Sequence, residues 1–251
     1  MTGTLYLVPN LLGAIPPSRA LPQRTIETAQ RLAHWVVETA KPARAFLKTL
    51  EVGMPIADLD LRTFPSAPTV ANVKLLLGPA LEGRDIGVLT DAGCPGVADP
   101  GAALVAAAHN AGIRVVPLVG PSAVLLALMA SGMNGQRFAF HGYLPAKPGA
   151  RAQALRALEA DSRAQHRAEL FIETPYRNVA MLETIAQALK PATAVCVAAD
   201  LTLDTETVER RTASQWRDGA IDRFAKRPAL FVLEAWPPAA AYVPVSGQSL
   251  I

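Results

Sequence analysis

Short apolar runs alternate with longer stretches in which apolar residues recur every three or four positions. That alternation predicts an α/β chain. Strands are expected over 5–8, 35–38, 86–90 and 113–117, with helices over 22–33, 42–50, 68–81, 100–111 and 121–131. After Ser131 the pattern restarts with a strand over 137–141, a helix over 149–160, a strand over 169–173 and a helix over 176–189. The last part reads as antiparallel, with strands over 195–199, 206–212 and 229–235 around one helix over 214–224. Two α/β domains of similar size follow, 1–119 and 120–240, hinged near Gly120 and trailed by a tail over 241–251.

One segment carries more information than the pattern around it. The run Ile86-Gly87-Val88-Leu89 leads into Thr90-Asp91-Ala92-Gly93-Cys94-Pro95-Gly96-Val97-Ala98-Asp99-Pro100-Gly101. Pro95-Gly96 suits a type II turn, because glycine tolerates the positive φ of the third turn position. Asp99-Pro100 reads as an N-cap followed by proline at the first helical position. Glycines let a ligand approach the backbone, and Asp91 offers a fixed acceptor at the carboxyl end of a buried strand. Two further junctions repeat the theme: Leu118-Val119-Gly120-Pro121-Ser122-Ala123, and Phe171-Ile172-Glu173-Thr174-Pro175-Tyr176 with Thr174 as N-cap. Proline starts helices efficiently wherever it falls, so a single junction means little. Three of them beside a glycine-rich loop point to a small-molecule site at the strand ends.

Composition narrows the chemistry. Of 251 residues, 51% are hydrophobic and 18% charged, which describes a globular chain with a substantial core. Cys94 and Cys196 are too few for a disulfide framework and suggest a reducing compartment. No signal peptide is visible at the amino terminus, and no apolar run is long enough for a membrane span, so a cytoplasmic protein is expected. The chain has neither a phosphate-binding Gly-x-x-x-x-Gly-Lys-Ser/Thr loop nor a Gly-x-Gly-x-x-Gly after its first strand. The four histidines have no zinc-like spacing, so no metal is expected. Cys94 has no histidine near it in sequence, and a small buried thiol is the simpler reading. Methyl transfer from a sulfonium suits this inventory, because the donor arrives activated and the protein mainly aligns it. The formal charge of +3 says little, although Lys147, Arg151, Arg156, Arg163 and Arg167 crowd one window against Glu159 and Asp161. That window reads either as a solvated helix face or as a phosphate contact.

These motifs resemble the tetrapyrrole methylase superfamily of S-adenosylmethionine-dependent methyltransferases, and within it the ribosomal RNA small subunit methyltransferase I branch. The resemblance runs from Gly3-Thr4-Leu5-Tyr6-Leu7-Val8-Pro9 through the Asp91 loop, the stretch from Gly112 to Ala123, and Gly142-Tyr143-Leu144-Pro145-Ala146-Lys147. It continues through Glu173-Thr174-Pro175-Tyr176-Arg177 to Asp200-Leu201-Thr202 and Glu206. It implies two α/β domains with the cofactor in the cleft between them, and a homodimer. It places Pro9, Asp91, Ala92, Gly93, Pro95, Gly96, Ser122, Ala123, Thr174 and Ala198 around S-adenosylmethionine. Glu173 is then a candidate base for an acceptor hydroxyl or a structural partner of Arg177, and Glu38, Arg44, Lys147 and Arg177 fall on the acceptor side.

Two departures bear on the substrate. Where the ribosomal RNA branch carries Pro-Ile-Gly-Asn and then an acid, this chain reads Pro9-Asn10-Leu11-Leu12-Gly13 with no acid before Glu27. The Glu-Asp-x-Arg pattern becomes Glu38-Thr39-Ala40-Lys41-Pro42-Ala43-Arg44, which loses the second acid. Three functions stay open on sequence: methylation of a ribose hydroxyl in ribosomal RNA, methylation of a tetrapyrrole or other small molecule, or a non-catalytic cofactor- or RNA-binding paralogue.

Overall fold

Five short strands open the chain: β1 (Thr4–Leu7), β2 (His34–Val37), β3 (Asp60–Thr63), β4 (Ile86–Leu89) and β5 (Arg114–Pro117). All are parallel, in the order β3-β2-β4-β1-β5. The computed structural model describes residues 1–65, 67, 69–217 and 221–235; the expected tail over 241–251 lies outside them. Contacts divide the chain into two units, Met1–Ser122 and a second that begins at Ala123.

Side-chain alternation gives the first sheet two apolar faces. On one face Val8, Trp35, Val37 and Leu89 form a core with α1 (Gln23–Arg31) and α2 (Ala40–Thr49). On the other, Leu5, Val36, Ile86 and Val88 pack with α3 (Val70–Leu76), α4 (Gly78–Leu81) and α5 (Ala102–Asn110). The crossovers leaving β1 and β2 thus run one way and those leaving β3 and β4 the other. The winding reverses between β1 and β4, which sit side by side. Outside the carboxyl ends of those two strands is where such sheets bind ligands.

Two differences from the sequence expectation have physical causes. β3 is an edge strand rich in charge, with Asp60 bonded to Arg62 at 2.8 Å and to His34 at 3.0 Å, so it lacks the apolar signature of a strand. The expected helix over 68–81 is broken between α3 and α4 beside Gly78-Pro79, where proline has no N–H to continue the ladder.

The second unit holds β6 (Phe138–Tyr143), β7 (Ala168–Glu173), β8 (Ala194–Ala199), β9 (Thr207–Thr212) and β10 (Ala229–Glu234), in the order β6-β7-β10-β8-β9. β6 and β7 are parallel and the remaining pairs antiparallel. Phe171, Phe231, Val195 and Val197 face a core built with α7 (Pro148–Gln165), α8 (Asn178–Ala188) and α9 (Ala213–Arg217). The opposite face, with the fully buried Leu170, Cys196 and Val232, is covered by α6 (Ala123–Ser131). α7 extends past the expected Ala160 because Ser162 points inward: its hydroxyl donates to the Arg167 carbonyl and accepts from the Ala235 N–H. The expected helix over 214–224 is instead α9 followed by a 3-10 turn at Ile221–Phe224, with 218–220 outside the described residues.

Candidate active site

At the carboxyl end of β4 the chain turns sharply. The Val97 N–H donates to the Cys94 carbonyl at 3.1 Å across Pro95-Gly96, with Gly96 at φ +80°, as a type II turn requires. The Gly96 N–H then donates to the Pro100 carbonyl at 3.2 Å, closing the loop on itself. Gly101, not Asp99, is the residue before α5: its φ is +144°, and a Cβ there would lie 3.1 Å from the Gly96 nitrogen. Pro100 is therefore outside the helix. Pro121 is outside too, since α6 starts at Ala123 directly after Ser122. Only Thr174-Pro175 keeps the expected arrangement, and it opens a 3-10 turn, Pro175–Arg177, without a side-chain cap.

Neighbouring strand ends pin this loop. Asn10, just beyond β1 and buried, donates from Nδ2 to the carbonyls of Thr90 at 2.9 Å and Asp91 at 3.1 Å. Its backbone N–H donates to the Gly93 carbonyl at 2.8 Å. Glu38, just beyond β2, accepts the Asp91 N–H at 3.0 Å, so its carboxylate shapes the Asp91 loop and does not merely face an acceptor. The Cys94 thiol donates to the Pro121 carbonyl at 3.4 Å, tying in the segment after β5. Gly120 packs against Pro9 so closely that a Cβ would come within 2.4 Å of the proline's. Pro9, Glu38, Asp91, Ala92, Gly93, Pro95 and Gly96 are thus gathered at strand ends around the point where the winding reverses.

The result is a concentration of negative charge. Burial, with the charges of Glu38 and Asp91, pushes the Asp99 carboxyl up to about 6. Burial and the Asp99 charge also raise the Cys94 thiol, which makes it a poor nucleophile at neutral pH. Asp91 and Ala92 are exposed. Arg44, on α2, is exposed with no bond to the loop.

In the second unit a different edge forms at the carboxyl ends of β7 and β8, which flank the start of β10: Ala229 pairs with Glu173 on one side and Ala199 on the other. Glu173 is 4% exposed. Its Oε1 accepts from Arg177 Nε at 2.9 Å, Arg177 Nη2 at 2.6 Å and the Thr174 N–H at 2.6 Å. Its Oε2, equally buried, has no partner. Donating to Glu173 raises the Arg177 guanidinium above its ordinary value. Tyr176 stands exposed beside the pair. Lys147, the residue before α7, is exposed. Ala198, in β8, is 1% exposed and pairs with Leu230 and Val208.

The Asp200-Leu201-Thr202 and Glu206 motif is a folded turn. Asp200 accepts from Arg227 Nε at 2.7 Å and the Thr205 hydroxyl at 2.9 Å, and Glu206 accepts the Thr202 N–H at 2.7 Å. Sequence reasoning missed Asn10 and Asn178 as organising residues. Asn178 is fully buried and donates to the carbonyls of Phe224 at 3.0 Å and Arg227 at 2.7 Å, tying the start of α8 to the segment before β10. An asparagine directly after an apolar strand was the available signal for Asn10; for Asn178 only the fold supplies the partners.

Among the described residues no helix is long and apolar enough to cross a membrane. The chain is 35% identical to the ribosomal RNA small subunit methyltransferase I of Escherichia coli O157:H7 over 207 residues, 82% of this chain and 68% of that one. It is 38% identical to the protein of that name from Micromonospora olivasterospora, over 82% of this chain and 61% of the relative. Among solved structures, the methyltransferase CobJ superposes with a TM-score of 0.60 at 19% identity, covering 93% of this chain and 94% of that one. The uroporphyrin-III-C-methyltransferase from Thermus thermophilus gives 0.55 at 19% identity with the same coverage. At that identity the structures attest the fold. Residues 23–216, which include the Asp91 loop and Glu173 to Arg177, match the family described as Tetrapyrrole (Corrin/Porphyrin) Methylases, and the chain belongs to that methyltransferase family.

Proposed function

We propose that this S-adenosylmethionine-dependent methyltransferase modifies a ribose 2′-hydroxyl of small-subunit ribosomal RNA. The observation that carries the reading is its 30–38% identity, over most of its length, to relatives named for methylating that RNA. When bound, the cofactor supplies an electrophilic methyl group on a positively charged sulfur. The Asp91 loop suits such a ligand: Glu38, Asp91 and Asp99 provide negative potential, and the exposed Gly96 leaves the backbone open to close approach. Pro9, Ala92, Pro95 and Ser122, in the same unit, complete the set of residues that would hold it.

Glu173 is the base in this reading. Its Oε1 is fixed by Arg177 and the Thr174 N–H, while its Oε2 is a buried acceptor awaiting a donor, which the acceptor hydroxyl provides. Arg177, Lys147 and Arg44 offer exposed cations for phosphates. The family's dimeric assembly extends to this chain, and the exposed Leu125 and Met129 of α6 give a second copy an apolar surface to cover.

The test is transfer of labelled methyl from S-adenosylmethionine to small ribosomal subunits lacking the modification. The expected product is RNA with one phosphodiester step made resistant to alkali, since a 2′-O-methyl group removes the attacking hydroxyl. Label that enters a tetrapyrrole and not the RNA would replace this reading with the small-molecule one.

A further inference from the structure

The basic window of α7 is not one surface. Arg151 is 4% exposed; its Nε donates to the Thr184 hydroxyl at 2.9 Å, so it belongs to the core packing of α7 on α8. Arg167 is held by Glu169 at 2.7 Å. Lys147 precedes the helix, which leaves Arg156 and Arg163 on it, both exposed, seven residues apart and so on one flank about 10 Å apart along its axis. Between α7 and the end of α8 they line a surface groove of about 380 Å³ together with Lys190, a residue outside the sequence window. Among the described residues none of these three side chains has a hydrogen bond or ion pair.

The neighbouring acids do not neutralise them. Asp161 lies about 140° around the helix from Arg156, on the far flank, and faces Arg167 at 3.9 Å. Glu159 lines the groove, but its Oε1 is turned inward, accepting the Lys190 N–H at 2.8 Å and the Thr193 hydroxyl. Three cations are therefore held together over one buried acid. Holding like charges side by side is unfavourable without a counter-charge.

We propose that the Arg156, Arg163 and Lys190 groove is a phosphate-binding track for the RNA substrate. The inference rests on the RNA reading above and adds where the strand runs. α7 begins at Pro148, shortly after Tyr143, which pairs with Ile172 next to Glu173. Arg156 lies about 12 Å along the helix from that end, and Arg163 about 10 Å further. RNA whose target nucleotide sits at the Glu173 edge meets the track with phosphates well outside the active site. The track supplies affinity and register, not chemistry.

The probe is an unmodified small-subunit ribosomal RNA transcript, titrated over a salt series. The wild type is compared with a triple variant (Arg156→Gln, Arg163→Gln, Lys190→Gln) and a charge-retaining one (Arg156→Lys, Arg163→Lys, Lys190→Arg). S-adenosylmethionine affinity is measured for each. We expect the glutamine variant to bind RNA about 10- to 100-fold more weakly near 0.1 M salt, with the slope of log K against log salt shallower by about 2–3. Its cofactor affinity is unchanged, and the charge-retaining variant stays within about threefold of wild type. Unchanged RNA affinity and slope in the glutamine variant would overturn the proposal, as would equal loss in the charge-retaining one. A wild type that binds cofactor but no RNA would remove the RNA reading itself, a result distinct from failure of the track alone.

Discussion

The two units build their strand-end sites from different materials. In the first, the site is mostly backbone: a glycine-rich loop after β4, shaped by Asn10, Glu38 and Gly120 from neighbouring strand ends. In the second, it is mostly side chain: the Glu173–Arg177 pair. A backbone site is sensitive to shape and tolerates few added atoms, whereas a side-chain site is sensitive to charge and proton position. Under the proposed function, the contrast matches close-fitting recognition to the first site and acid–base work to the second.

The sharpest way to break that division is Glu173→Gln. It removes the proton acceptor and leaves a similar shape, so kcat should fall by about 10²- to 10⁴-fold with cofactor affinity unchanged. Methyl-transfer kinetics beside a binding titration check it; equal loss in both would mean that Glu173 is only structural. Next comes Gly120→Ala. Its methyl collides with Pro9, at a cost of about 1–3 kcal/mol, which denaturant unfolding measures, and cofactor binding should weaken with it. Asn10→Ala strips two donors from the Thr90 and Asp91 carbonyls and should cost about 1–3 kcal/mol, with weaker cofactor binding and kcat at saturation largely kept.

The smallest effect is electrostatic. Asp99, raised to about 6, is neutral below that pH, so affinity for a cationic cofactor should rise as pH increases from 5 to 7.5. Asp99→Asn should flatten the profile at its low-pH level. Stability moves the opposite way. The folded state holds the Asp99 proton more tightly than the unfolded chain does, so it loses stability as pH rises from about 4 through about 6. The asparagine variant should therefore gain in melting temperature over wild type at pH 8 and lose that advantage near pH 4.

The same contrast explains what was legible in the sequence. The Asp91 loop could be read because glycine, proline and an acid at a strand end have few other uses, and the turn at Pro95-Gly96 follows from them. The caps could not. Asp99-Pro100 has the local chemistry of a helix start, yet Gly101 takes the cap position because the loop must fold back on Gly96. β3 escaped notice because an edge strand needs no continuous apolar run, and Arg151 looked like a surface cation because its partner Thr184 lies on another helix. Local backbone signals survive in sequence; side-chain partnerships between distant segments do not.

The central claim is that the acid-lined loop after β4 holds the methyl donor. Calorimetric titration of wild type, Asp91→Ala and Glu173→Gln with S-adenosylmethionine tests it most directly. We predict saturable binding to the wild type, about tenfold or greater weakening in Asp91→Ala through loss of a charge-assisted contact, and wild-type affinity in Glu173→Gln. Asp91→Ala that stays folded and binds as tightly as wild type would contradict the account.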